Sequence, residues 1–341
     1  MAKTILVTGG TGFIGGEVIE LLLERGHSVR TTVRSKARSE TTLRGRWPNA
    51  GDRLEIVEAE LMDDAGWAEA NAGCDAVAHV ASPLPVSVPR DENELIVPAR
   101  EGTLRALRFA HGAGIRHFVQ TSSNAAISYG HPKTKTQFDE RDWTIVDAPG
   151  IQPYIKSKTI AERAARDWVA ANAPAMAFCS VNPVLVLGPV ASADFSASVE
   201  VVKRLLTGEI PMIPNIGFPI VDVRDVAMLH VLALEAEAET IRDERFAATA
   251  EFYRMADVAA VLRAHLGSDA RKVPTRPMPD LLLRLIGLFS RDIRQLVGEI
   301  GTRKQISGQH AKDTLGWTTR PADQTVIDTA RSLIARGIVT I

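Results

Sequence analysis

The N-terminal stretch MAKTILVTGGTGFIGG limits the possible folds more tightly than any other part of the chain. An apolar, β-propensive run at 4–8 stops at glycines, and apolar residues at helical spacing follow at once. The pattern predicts a strand, a tight turn and a helix in direct succession. Gly9, Gly12 and Gly15 are spaced GxxGxxG. The first suits a tight turn, the second close approach of an anion to backbone, and the third close packing of helix on strand. The opening N–H groups of such a helix have no partners within it and attract a phosphate. A merely flexible turn would not need a strand before it and a helix after it, so the expectation is a dinucleotide cradle.

The same alternation continues. Strands are predicted at 4–8, 29–33, 54–57, 76–80, 118–121 and 177–182, with helices at 13–24, 65–70, 94–113 and 154–171 between them. This order predicts an α/β fold of the Rossmann type, a doubly wound parallel sheet. After residue 182 the rhythm changes: Pro183, Pro189, Pro211, Pro214 and Pro219 punctuate the chain. Helices are expected at 195–207, 224–236, 255–266 and 279–288. Residues 1–182 are therefore read as the dinucleotide-binding domain, to which later segments can return, and 183–341 mainly as a smaller C-terminal substrate lobe. Residues 34–53 read as a polar surface loop with a short helix, and 129–152 as a second long excursion. No internal repeat or low-complexity segment is found.

Composition excludes several functions. The 341 residues carry 40 Lys and Arg against 41 Asp and Glu, a formal net charge of −1. That balance argues against a nucleic-acid partner, which calls for a basic excess, and offers no polybasic membrane signal. Cys74 and Cys179 are too few for a disulfide framework or a thiolate zinc site. The eight histidines form no HxxxH or HExxH spacing, and Asp222 and Asp225 in VDVRD read as a strand end and helix cap, so no metal is expected. Arg284 interrupts the most apolar late run, 281–289, and the N-terminus lacks a signal-peptide pattern. A soluble, cytoplasmic protein is expected.

Three places carry candidate chemistry. At the end of the second strand, where an acid would hold the ribose of NAD, the chain reads SVRTTVRSKARS. Arg34 there, with Arg30, Lys36 and Arg38 nearby, suits a 2′-phosphate and favours NADP(H), although a solvated basic loop would look the same. Tyr154 and Lys158 are four residues apart at the start of a predicted helix, on one face. A cation beside a phenol, helped by an oxidised nicotinamide, is expected to lower a pKa that is ordinarily near 10, so that the phenol can exchange a proton at neutral pH. The fifth strand ends in TSS, whose hydroxyls can hold a carbonyl oxygen but are also ordinary turn formers.

TGGTGFIG, TTVRS, GCDAVAHVASP, PAREGTLRAL, FVQTSS, YIKSKTIAERAA, VNPVLVLGP, VDVRDVA and the late LGW span nearly the whole chain. Together they resemble the extended short-chain dehydrogenases/reductases, in the branch of dihydroflavonol reductases, cinnamoyl-CoA reductases and microbial aldehyde/ketone reductases. The resemblance implies reversible NADPH-dependent reduction of aldehydes or ketones, a small carbonyl or alcohol substrate, and a monomer or homodimer. It implies Ser123, Tyr154 and Lys158 as the catalytic set, with Ser122 the alternative serine. The implied cofactor contacts are Gly9, Thr11, Gly12, Phe13, Ile14, Gly15, Arg34, Lys36, Glu60, Leu61, Ala81, Tyr154, Lys158, Pro183 and Val184. Lys158 would also bind the nicotinamide ribose, and backbone amides after Pro183 the carboxamide. Two positions depart from the pattern: Glu60 stands where an aspartate is common, and Ala99 lies near the place of a helical asparagine used elsewhere as a proton relay. The rival readings are a nucleotide-sugar epimerase or dehydratase, which usually has an acid in place of Arg34 and an FNVYGP-like stretch in place of VNPVLVLGP, and a catalytically silent NADP sensor.

Overall fold

The computed structural model describes residues 2–83, 89, 91–192 and 195–341. The first half runs β1 (Thr4–Thr8), α1 (Phe13–Glu24), β2 (Ser28–Val33), α2 (Lys36–Arg46), β3 (Leu54–Glu58), α3 (Trp67–Asn71), β4 (Ala76–His79), α4 (Asn93–Gly112), β5 (His117–Thr121), β6 (Gln137–Phe138), α5 (Pro153–Asn172) and β7 (Ala177–Pro183). The second half runs β8 (Leu185–Leu187), α6 (Ala197–Thr207), β9 (Gly217–Asp222), α7 (Val223–Glu235), α8 (Ala238–Ile241), β10 (Glu244–Ala248), β11 (Glu251–Arg254), α9 (Met255–Leu266), α10 (Asp280–Phe289), α11 (Arg291–Val297), β12 (Gln305–Ile306), α12 (Gln309–Leu315) and α13 (Ala322–Ala335).

Seven strands form one sheet in the order β10-β7-β5-β4-β1-β2-β3, every pair parallel. The fold is thus the expected Rossmann-type α/β sheet, with its seventh strand drawn from beyond residue 182. The strand order reverses between β1 and β4, which opens a crevice above the C-terminal strand ends, where such sheets bind ligands. Central parallel strands are covered on both faces, so β1 is apolar along its middle, where Ile5, Leu6 and Val7 are fully buried. One face packs Val18, Ile19 and Leu22 of α1 with Val226 and Leu229 of α7. The other packs Trp67, Leu107 and Ala165 from α3, α4 and α5 around Phe118 and Phe178.

The smaller lobe has its own sheet, β11-β9-β8, in which β9 is antiparallel to β11 and parallel to β8. Val199, Val202, Leu262, Val326 and Leu333 from α6, α9 and α13 form its core. A short parallel pair, β12 with β6, ties the 129–152 excursion to the C-terminal region.

Two of the motifs are structural joints. Asp222 caps α7 by accepting from Arg224 N (2.9 Å), and the Arg224 guanidinium bridges Asp222 and Asp328 at 2.7 Å each. Asp225 accepts from Arg320 N (2.7 Å), while the buried Trp317 donates to its carbonyl (2.8 Å). The polar 34–53 stretch holds an 11-residue helix, α2, which buries only Leu43 and is fastened by Arg46 to Glu17 (2.7 Å). Among the described residues no helix is long and apolar enough to cross a membrane.

Candidate active site

At the end of β1 the chain turns through Gly9, whose φ of +73° an L side chain rarely adopts. A Cβ on Gly15 would come within 2.3 Å of the Gly9 carbonyl oxygen, so this glycine is what lets α1 sit on the turn. Gly12 is the N-cap of α1 and offers no side-chain cap, and the first helical turn contains no acid. The first N–H groups of the helix are therefore left for an outside acceptor, with Thr11 and Gly12 exposed and Phe13 and Ile14 half-buried around them. This is the donor set an anionic pyrophosphate requires. Ala81 lies across the turn from Gly9 and donates its N–H to Thr8 Oγ1 (3.0 Å).

Arg34 follows β2. It is exposed and, among the described residues, makes no hydrogen bond or ion pair. Arg30 is committed to the fold, donating to Glu55 Oε2 (2.7 Å) and Ala72 O (2.6 Å). Lys36 opens α2 with an exposed side chain, and its N–H donates to Glu58 Oε2 (2.9 Å). Beyond β3, Glu60 is exposed and its carbonyl accepts from Trp67 Nε1 (2.8 Å); Leu61 rests on α4 at Gly102.

Ser123 lies just past β5 and Tyr154 in the first turn of α5, with the serine hydroxyl near enough to the phenol to favour its ionised form. Ser123 Oγ also accepts from Ala125 N (3.1 Å). Ser122 is engaged elsewhere: it is buried and donates to Glu162 Oε2 (2.5 Å). Lys158 is buried one turn beyond Tyr154, with Nζ 6.0 Å from the centre of the phenol ring. Burial draws its pKa down to about 8, opposed by the negative charge of Glu162. The phenol behaves differently from the sequence-based expectation. Burial pushes the Tyr154 pKa up, because the phenolate loses more water than the neutral form, and the nearby Ser123 hydroxyl only partly offsets this. In the protein alone Tyr154 is therefore a loaded proton donor at neutral pH.

His79 ends β4 with Nδ1 3.0 Å from Thr8 Oγ1. Burial, helped by the charge of Lys158, brings its pKa to about 3, so the ring is neutral. Pro183 ends β7, and the next residue, Val184, donates its N–H to Ala248 O (3.2 Å). That amide is already used inside the fold, which removes it from the donors expected for a carboxamide. Sequence reasoning missed Glu162 and Arg245, a buried ion pair at 2.6 Å behind the serine turn. The only local signal was a glutamate one turn past Lys158 on the helix.

From sequence, the segments 82–88, 124–131 and 190–218 read as loops that would build the substrate pocket; of these, 84–88, 193 and 194 lie outside the described residues. In the second loop, Lys304 Nζ sits 3.8 Å from the ring centre of Tyr129. In the third, and in β8 just before it, Val186, Leu187, Val199, Ile213 and Ile216 are buried in the cores, whereas Leu185, Phe195, Met212 and Phe218 are half-buried. A shallow cleft of about 540 Å³ beside β6 and β12, lined by Lys135, Phe138, Arg141 and Gln305, contains none of the candidate site residues.

An open helix N-terminus on a glycine turn, at the switch point of a parallel sheet, defines a dinucleotide-binding α/β protein. The chain belongs to the NAD dependent epimerase/dehydratase family, whose sequence model matches residues 5–247. Cinnamoyl-CoA reductase 1 of Petunia hybrida is 30% identical over 339 residues, covering 98% of this chain and 93% of that one. Cinnamoyl-CoA reductase CAD2 of Medicago truncatula is 35% identical over 245 residues, 69% of this chain and 73% of its own. The yeast methylglyoxal/isovaleraldehyde reductase Gre2, complexed with NADPH, has the same fold: TM-score 0.80 at 23% identity, covering 98% of this chain and all (100%) of that one.

Proposed function

We propose that the chain is an NADPH-dependent reductase of aldehyde and ketone carbonyls, working reversibly. The observation that carries this reading is Tyr154 beside Ser123, with Lys158 one turn on and its Nζ 6.0 Å from the phenol ring centre, in a chain that opens on a dinucleotide cradle. Relatives that are named reductases, and a reductase of the same fold complexed with NADPH, support it.

Gly9, Thr11, Gly12, Phe13, Ile14 and Gly15 would hold the pyrophosphate, and Arg34 with Lys36 the 2′-phosphate. Glu60, Leu61 and Ala81 would flank the adenosine side, while Lys158, Pro183 and Val184 would flank the nicotinamide riboside. When bound, NADPH supplies the hydride that the carbonyl carbon accepts. Ser123 donates a hydrogen bond to the carbonyl oxygen and so favours the negative charge that develops there. Tyr154 gives that oxygen its proton, which completes the alcohol and leaves a phenolate. Lys158, still largely protonated at neutral pH and with Nζ 6.0 Å from the phenol ring centre, would stabilise the phenolate by its charge. Alcohol oxidation runs through the same groups in reverse.

The half-buried Leu185, Phe195, Met212 and Phe218 suit an apolar substrate tail better than a diphosphate. That, with Arg34, ranks a nucleotide-sugar epimerase second. Two buried, unpaired cysteines fit a cytoplasmic protein, acting as a monomer or homodimer. The test is NADPH oxidation, followed by absorbance, over a panel of aromatic and aliphatic aldehydes, ketones and sugar nucleotides. Apolar carbonyl compounds are expected to be reduced; turnover confined to a sugar nucleotide overturns the reading.

A further inference from the structure

We propose that Glu162 is a positioning residue of this active site, its carboxylate locking the serine turn, the Asn182–Pro183 turn and the Tyr154–Lys158 helix into one geometry. The inference rests on the reductase reading above and assigns a role to a residue that touches neither substrate nor cofactor.

Glu162 is fully buried, one turn beyond Lys158 and two beyond Tyr154 on α5. Its Oε2 accepts from Ser122 Oγ (2.5 Å) and from Asn182 Nδ2 (2.7 Å). Ser122 directly precedes Ser123, and Asn182 Nδ2 also donates to the Ser123 carbonyl (3.2 Å). The serine turn is thus held at two points by groups that converge on one oxygen. Asn182 directly precedes Pro183, so the same oxygen fixes the end of β7.

Oε1 accepts from Arg245 Nε (2.6 Å) and Arg166 Nε (3.4 Å), with Ser180 Oγ at 3.0 Å. Arg245 then donates to the carbonyls of Glu140 and Asp142 (2.6 Å each) and lies 3.8 Å from the Trp143 ring centre. One carboxylate therefore joins α5, the end of β5, β7, β10 and the 129–152 excursion.

A buried ion pair is a weak device for stability, since apolar packing of similar volume often serves as well. Apolar packing has no direction, however, and could not orient the Ser123 backbone. Charge gives a second effect. Lys158 is faced by the neutral His79 from β4, by Tyr154 on its own helix and by Glu162 below it. Glu162 stays ionised despite its burial because Arg245 and Arg166 hold its pKa near 2. It is the negative charge in this group, so it sustains the lysine cation against burial.

The test is single-turnover hydride transfer with an aldehyde that the wild type reduces, followed as NADPH decay across pH 6–10. A deuteride isotope effect verifies that chemistry is being read. In Glu162→Gln the rate constant is expected to fall about tenfold to a hundredfold. The alkaline limb, where Lys158 loses its proton, should move down by about one pH unit. Glu162→Asp keeps the charge and should restore the limb, while its shorter reach leaves the rate constant low. A folded Glu162→Gln protein, judged by circular dichroism, with an unmoved limb overturns the proposal.

Ser122→Ala removes one donor without stranding a charge and decides the matter should Glu162→Gln fail to fold. It should lose roughly threefold to tenfold in rate constant, less than Ser123→Ala, with NADPH affinity and limb unchanged. A wild-type rate constant in Ser122→Ala, or a loss larger than that of Ser123→Ala, equally overturns it. A wild-type protein that reduces no carbonyl on the panel refutes the reductase reading itself, a result distinct from any of these.

Discussion

Replacing Arg34 with alanine isolates the choice of cofactor, because this guanidinium is exposed and has no partner among the described residues. Its removal strands nothing, unlike loss of Arg30, which would release Glu55 and several carbonyls. A charge-assisted hydrogen bond to a phosphate is worth about 1.5–3 kcal/mol. Solvent screening at an exposed position pulls the value toward the low end, since two charges about 4 Å apart in water interact by only about 1 kcal/mol. At about 1.4 kcal/mol per decade, the Kd for NADPH should rise roughly tenfold to a hundredfold in Arg34→Ala. NADH has no 2′-phosphate and should change less than about twofold. Lys36→Ala should cost NADPH less than Arg34→Ala, as an ammonium on a flexible stem cannot form a fork. Fluorescence titration of both cofactors at low and high salt reads these constants, and the Arg34 effect should shrink with salt. Equal weakening of both cofactors, or a wild type that prefers NADH, would refute the reasoning.

Tyr154→Phe should reduce turnover by about 10²–10⁴-fold, the usual contribution of a positioned acid, with NADPH affinity little changed; a folded variant with wild-type hydride transfer removes Tyr154 from the mechanism. Stability should also depend on acid in a defined window. His79 and His230 are buried, with pKa values drawn by desolvation to about 3 and about 4 from an ordinary 6.5. The unfolded chain therefore binds their protons first, so their neutral-state stability is complete above about pH 6.5 and is lost as pH falls toward the folded values. Two protons correspond to about 2.7 kcal/mol per pH unit between roughly pH 6 and 4, a slope urea unfolding would show; a flat profile there contradicts the burial of both rings.

The parts of the fold legible in the sequence are those in which local pattern and tertiary environment coincide. β1 and α1 agree with their predicted spans to the residue, because the glycines that end the strand are also those that admit the helix. The helix α2 reads in sequence as only a short helix within a loop, since Leu43 alone is buried and there is no apolar stripe to read. β10 has no local signature: its five residues follow the short α8 and become a strand by docking on the edge of β7. By contrast α13 carries a plain stripe, Val326, Ala330 and Leu333, yet it is absent from the helices predicted from sequence. At the site, the tyrosine–lysine spacing survives in one dimension because both residues share a helix. Which serine faces Tyr154 does not survive, as it depends on Glu162 capturing Ser122. That capture joins residues 40 positions apart, and the Arg245 contact joins residues 83 apart. Only the strand order brings them together.

The distribution of protons between Tyr154 and Lys158 also bears on direction. The phenol, raised by burial, holds its proton across the neutral range, which is the state that the proposed reduction step requires of Tyr154. Lys158 lies on the opposite side of the balance. With a pKa near 8 it is cationic at neutral pH, and loses that charge not far above it. Alcohol oxidation begins from the phenolate, which burial disfavours at the pH where the lysine is fully charged. Raising the pH to form the phenolate begins to discharge the cation that would stabilise it. Reduction meets no such conflict, since neutral phenol and cationic lysine coexist over the same range. On the mechanism proposed above, the neutral phenol and the cationic lysine therefore suit carbonyl reduction at neutral pH, and the proposed part of the buried Glu162 is to sustain that lysine cation.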